Sequence, residues 1–526
     1  MIAYNRATFR PMPLTLTLPK LETRPVNPPE TRVAQVTKWL AETVRRDPAA
    51  AAQVAGDALA ATNRVGMSDS RRMELAEAYW SAASQLWPRL ERQVMQASQP
   101  LTGQSLEAAK AALTLAQELS TAYKHLLASE AGKRISLGGA RLASALIHRC
   151  LQCFARVLAA SYQSYSPVPA NTWIDAHAVY AYARERNLHL ATIPGDVTEA
   201  TPDRIYVQAL LLALANPYGF HPGQLGTVLA YLQTHTHWVK LTDVAPVHRL
   251  AKSVAIVPVG HDFPPFSANK GGSIEGSRLY LLTFDLAFQL QEELRLLESG
   301  GELPGDLPRD AASRHAYVAL LQRLLRQWAI PPARQFNRLP SRARVVMCVG
   351  FAGAWQYSRG KPAGVAPPVS PGGLPPMTHC QVINHTPAGY ALRQTDAAPA
   401  SLRIGELVSL RVEGRLTLQL AVVRWFRNTL KGTALEFGCE LLADHAEAAG
   451  AVPEGAASHA LVPVIVLPGD DEAPDPTPWQ VVAPAGAFPV ERAISLHRGA
   501  QVATAVLTKF ADQGPGYDIF EYVAVE

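Results

Sequence analysis

The feature that most limits what this chain can become is a change in the spacing of its apolar residues at Pro331-Pro332. Ahead of it, apolar side chains recur every three or four positions, as Val33, Val36, Leu40 and Val44 do, which is the repeat of one buried helical face. Beyond it come short runs rich in Val, Ile, Leu and Phe, divided by turn residues, the pattern of antiparallel strands. Two successive prolines lack backbone donors and bar a helix from crossing the junction. The expectation is a multidomain α+β chain: a large α-helical N-terminal region, a small antiparallel β-barrel, and a β-rich C-terminal segment. At 526 residues the chain is long enough for several domains, and 48% hydrophobic against 18% charged residues supplies their cores.

Residues 1–30, rich in proline and threonine, read as an extended leader, and 31–250 as a helical domain. Asp47-Pro48, Thr201-Pro202 and His221-Pro222 each pair a capping residue with proline at the first helical position. Ser68 or Asp69 opens a long helix through Tyr79, Leu86 and Leu90, with Pro88 a candidate kink. Such helices suit an antiparallel bundle or a helical array. Residues 251–330 read as mixed α/β, with strands at 254–259 and Leu279–Leu282, a helix over 285–297 and a final helix over Ala311–Trp328. The intervening GGSIEG, 271–276, lacks the Lys-Ser/Thr of a phosphate loop and reads as a hairpin loop.

A net charge of +5 is modest for this length and does not point to DNA. Five cysteines make no disulfide framework, so a reducing, cytoplasmic setting is expected. Cys150 and Cys153 fall inside the apolar stretch 142–160 and read as core sulfur. His235 and His237 have no partner at ligand spacing. The longest apolar run, 207–215, is short of the ~18 residues of a membrane span, and residues 1–20 lack the core of a secretory signal. No nucleophile elbow, zinc-protease, phosphate-loop or dinucleotide signature occurs. The expectation is therefore no enzyme, no catalytic residue, no metal and no cofactor.

Between 334 and 445, strands are expected at 345–349, 381–383, 390–392, 407–412, 418–426 and 434–442, and the Pro/Gly-rich 352–378 as a mobile surface loop. Residues 334–344 read RQFNRLPSRAR, four arginines in eleven residues without an acid, and 384–389 read NHTPAG. Together they resemble the RxxxR and [D/N]xSxxG signature of PilZ domains. Arg338–Arg342 is the first match, with Arg334 in reserve because Arg334–Arg338 is itself an RxxxR; Asn384, Thr386 and Gly389 are the second. GELVSLRV, LAVVRWF and ALEFGCELL follow the order of the later barrel strands. The resemblance covers about a fifth of the chain. It departs at Thr386, where serine is usual, at Pro387, which stiffens the turn, and in the long gap from Arg342 to Asn384.

The resemblance implies a PilZ-like barrel that binds cyclic di-GMP through Arg338, Arg342, Asn384, Thr386 and Gly389. A guanidinium can donate a parallel pair of hydrogen bonds to guanine O6 and N7, stack on a purine or pair with a phosphate. Asn384 offers amide groups, Thr386 a hydroxyl, and Gly389 a backbone that can approach the ligand closely. It further implies a bacterial signalling protein controlling motility, attachment or exopolysaccharide, with the helical region docking a protein partner. The alternative is a barrel without ligand that serves as a protein-interaction scaffold. Arg424, Arg427 and Lys431 read either as an extension of the basic surface or, preferably, as a hairpin tip in solvent. Residues 458–526 read as a second small barrel or a sheet extension with no recognisable site.

Overall fold

The computed structural model describes residues 14–525 apart from 98–100, 134–138, 193–199, 247–252, 271–275, 305–308, 330–335, 360, 362–363, 369–375, 397–401, 416, 429–434, 455–459 and 470–476. The chain divides near residue 334 into two compact units.

The first unit is built mainly from helices: α1 (Val33–Thr43), α2 (Pro48–Asn63), α3 (Asp69–Met95), α4 (Gly103–Gly132), α5 (Gly139–Gln163), α6 (Thr172–Glu185), α7 (Pro202–Leu214) and α8 (Pro222–His235). The local start signals work as written. Asp47 accepts from the Ala50 amide, Ser68 from Arg71 and Thr201 from Arg204, each satisfying an orphan N–H of a first turn. Helix α3 continues through Pro88. Helix α4 packs against α2, α3 and α5, which is why its alanines and leucines are buried along most of its length.

By length and composition α5, rather than 207–215, is apolar enough to cross a membrane, yet two thirds of that window is buried within the unit. Cys150 and Cys153 lie in its buried face, and burial pushes both thiols up. After α8 come β1 (Lys240–Thr242), β2 (Val254–Val257), β3 (Phe266–Ser267) and β4 (Leu279–Leu282) in one antiparallel sheet, then α9 (Phe284–Glu298) and α10 (Ala311–Trp328). Of GGSIEG, 271–275 lie outside the described residues, as do Pro331 and Pro332.

Two buried polar contacts hold this unit in register. The Lys124 ammonium lies 2.8 Å from Asp175 and donates to the Thr17 carbonyl at 2.7 Å, while Asp175 accepts from the Thr17 amide at 2.9 Å. The leader is thus pinned where it crosses α4 and α6. On α6, His177 is fully buried; Nε2 lies 2.9 Å from the Phe263 carbonyl and Nδ1 meets the Tyr206 hydroxyl.

Burial holds His177 down at about 4, against 6.5 in an open chain. His125 is held at about 4, first by burial and then by Arg72. Folding therefore releases protons at both rings. Their stabilisation is complete above pH ~6.5 and lost as pH falls towards ~4, with His177 alone contributing about 3 kcal/mol across that window. Chemical denaturation of the helical transition near pH 7 and pH 4.5 should show this loss, and His177→Gln should flatten the pH dependence.

The second unit holds two barrels. The first comprises β5 (Leu339–Pro340), β6 (Arg344–Val349), β7 (Met377–Thr386), β8 (Gly389–Gln394), β9 (Leu407–Val412), β10 (Gln419–Asn428) and β11 (Leu435–Ala443). Antiparallel pairing runs β6–β7–β8–β11–β10–β9 and back to β6, closing a ring, with β5 added beside β7. All the expected strands are present, and β7 extends into the NHTPAG turn. The expected loop over 352–378 needs correcting at its start: Phe351–Tyr357 is a helix, α11, because Phe351, Ala354 and Trp355 face a core. Proline and glycine become dense only beyond it.

The second barrel closes in the order β12 (Glu447–Pro453), β13 (Val462–Leu467), β14 (Gln480–Pro484), β17 (Tyr517–Val525), β16 (Gln501–Gly514) and β15 (Ala493–Arg498). It begins at 447, not 458. The strand EAAGAVP escapes notice because alanine and glycine are poor strand formers; here Ala448, Ala449 and Ala451 are fully buried and let the walls approach closely. One apolar cluster joins Trp355, Leu407 and Val422 to Ala448, Ile465, Val482 and Tyr517, so the two barrels share a core. The Trp355 indole donates to the Ala449 carbonyl and the Tyr517 hydroxyl to that of Gly405, adding polar ties.

Candidate ligand-binding site

The short strand β5 lays the arginine segment along the end of β7, pairing Leu339 with His385 and Pro340 with Asn384. From Asn384 the register continues through Ala391 on β8 and Gly438 on β11 to Trp425 on β10. At ~4.8 Å between strands the row spans about 14 Å. Ala391 and Gly438 form a low floor with Asn384 at one end and Trp425 at the other. A Cβ on Gly438 would meet the Trp425 indole nitrogen at 2.0 Å, so only glycine lets the ring pack this closely against β11.

These residues line a depression of about 210 Å³ together with Arg338, Thr386, Gly389, Arg424 and Glu440. The β7 register slips between Val382 and Asn384, and the β10 register between Val423 and Trp425. Such bulges re-aim side chains, and Arg424 and Trp425 both line the depression.

The NHTPAG turn is fixed from within. The Thr386 hydroxyl accepts from the Ala388 amide at 3.2 Å, and the Ala388 carbonyl accepts from Leu441 at 2.9 Å. Gly389 has φ +153°, and a Cβ there would stand 2.0 Å from the Cys439 carbonyl oxygen. Its conformation is therefore demanded by the close approach of β11. Thr386 shapes the turn as well as facing the depression.

Arg338 and Arg342 are exposed, and neither has an ion pair or hydrogen bond among the described residues. Arg338 lines the depression; Arg342, beyond β5, does not. Arg334 and Lys431 lie outside the described residues. Arg424 is half-buried and Arg427 exposed, and both are ion-paired rather than free in solvent. They sit within β10, Arg427 pairing with Glu436 at 3.0 Å and Arg424 with Glu440 at 2.5 Å and Asp512 at 3.3 Å. Burial works against the Arg424 charge, but the two carboxylates hold it above the usual arginine range. Trp425 and Glu440 also line the depression without being singled out in the sequence, and Arg424, read there by preference as part of a hairpin tip, lines it too. The bulge that turns them and the partner 88 positions away leave no local signal.

Among the described residues no group of three or more His, Cys, Asp or Glu could hold a metal ion. His235 contacts Glu293 at 2.9 Å and stacks on Tyr231.

Residues 34–246 match the family described as "Cyclic-di-GMP receptor FimW, N-terminal domain", and residues 370–448 match "Cyclic-di-GMP receptor FimW, middle PilZ domain". The chain is 22% identical over 479 aligned residues to the protein named Cyclic-di-GMP receptor FimW of Pseudomonas aeruginosa, covering 78% of this chain and 77% of that one. No solved structure matches. From residue 370 onward, the stretch that carries the NHTPAG turn and strands β7 to β11, the first barrel is thus similar to the PilZ domain of that receptor family, as the resemblance implied, while the arginine segment lies ahead of the matched residues.

Proposed function

We propose that this PilZ barrel is a cyclic di-GMP receptor that relays binding to the rest of the chain without catalysing a reaction. The observation that carries this reading is the unpaired Arg338 guanidinium beside Asn384, Thr386 and Gly389 around one depression. Arg338 has no carboxylate to exchange among the described residues, so its guanidinium is ready to pair with a phosphate or a guanine edge. Asn384 faces it with amide groups, and the Trp425 ring offers a platform on which a purine can stack. Arg338 belongs to both RxxxR registers, so its role does not depend on whether Arg334 or Arg342 is its companion. The descriptions of the matching families and of the Pseudomonas aeruginosa relative point to the same ligand.

At about 210 Å³ the depression is smaller than the ~300–1,000 Å³ of pockets that enclose a small molecule. The ligand therefore lies on the barrel surface, and the arginine segment closes over it, an ordering step that serves as the switch. The helical region then acts as the docking surface for a protein partner, in the cytoplasm.

Isothermal titration of the full chain with cyclic di-GMP should give saturable binding, weakened about tenfold in Asn384→Ala through loss of one to two hydrogen bonds. A folded wild-type protein that gives no heat and no competition for a fluorescent cyclic di-GMP overturns the receptor reading in favour of the scaffold.

A further inference from the structure

We propose that Arg424 is a clasp shared between the ligand depression and the second barrel, and that a bound cyclic dinucleotide draws it off Asp512. The inference rests on the receptor reading above and extends it to how binding leaves the site. Arg424 and Glu440 line the depression, whereas Asp512 belongs to β16 of the second barrel. One guanidinium therefore spans a carboxylate in the site and a carboxylate outside it, at 2.5 Å and 3.3 Å. The three side chains together carry one net negative charge. An anionic ligand entering beside Glu440 is repelled unless Arg424 turns its positive charge towards the phosphates. The longer and weaker of its two bonds is the one to Asp512.

Asp512 sits at a break in the β16–β17 register between Phe510 and Asp512, where the ladder is already interrupted. Its other oxygen accepts from the Gln513 amide at 2.8 Å. Loss of Arg424 therefore frees the carboxylate that shields this amide. The shared apolar core keeps the barrels docked, so the change is local and concerns β16. Because ligand and Asp512 compete for one group, the coupling is reciprocal: weakening the Asp512 bond strengthens ligand binding.

The test uses the full chain with cyclic di-GMP as probe. Asp512→Asn should bind about two- to fivefold tighter than wild type, the range of an exposed ion pair. In wild type, ligand should speed amide exchange around 510–513, and Asp512→Asn should lose that response. The exchange measurement needs no variant and stands even if Asp512→Asn folds poorly. Binding by wild type with unaltered exchange at 510–513 overturns the clasp and leaves the receptor reading intact. Unchanged affinity in a folded Asp512→Asn does the same. No binding by wild type overturns both.

Discussion

Arg338→Ala is expected to weaken cyclic di-GMP binding by roughly 10- to 100-fold, the value of about 1.5–3 kcal/mol for hydrogen bonds to a charged group. The loss should exceed that in Arg342→Ala, because Arg338 lines the depression and Arg342 does not. Arg338 makes no ion pair or hydrogen bond among the described residues, so its removal orphans no carboxylate and should leave the fold unaltered. Circular dichroism and calorimetry on the same samples check both halves. Arg338→Lys should recover only part of the affinity, since an ammonium keeps the charge but not the planar fork. Should Arg342→Ala prove the more damaging change, the depression between Asn384 and Trp425 is not where the ligand sits.

The largest effect on stability is expected at Asp175. Its side chain is 3% exposed and that of Lys124 11%, so the pair lies almost wholly out of water. Asp175→Ala leaves the ammonium without its counter-charge and the Thr17 amide without an acceptor, at a cost of about 3–5 kcal/mol. Urea denaturation followed by the helical signal should show the loss. Proteolysis should also cut the leader near Thr17 sooner, because the same carboxylate pins that segment. Replacing both partners together, as Lys124→Met with Asp175→Leu, should recover most of the stability while leaving the leader loose. Equal losses in the single and double variants would exclude a charge-based origin.

The parts legible in the sequence are those written locally. Asp47-Pro48 and Thr201-Pro202 open helices because cap and proline act within one turn. The arginine segment and the NHTPAG turn announced the barrel because both occupy short, ordered stretches. What stayed hidden depends on remote chain. Strand β12 is made of residues that ordinarily avoid strands, and only its place between two walls forces the choice. Helix α11 was obscured by the proline-rich stretch that follows it. Lys124 and Asp175 are 51 positions apart, each amid ordinary helical neighbours. Arg424 looked like part of a basic turn, since nothing nearby in the sequence names Asp512.

The common core of the two barrels has a consequence for how this chain is made. As the chain leaves the ribosome, Leu407 and Val422 of the first barrel emerge before Val482, Tyr517 and Ile519, the second-barrel residues of their shared cluster. Until β17 arrives, that wall remains a sticky surface open to chaperones or to neighbouring nascent chains. Arrival of β17 is thus the event that covers this wall, and a chain lacking β13 to β17 keeps an uncovered flank on the first barrel.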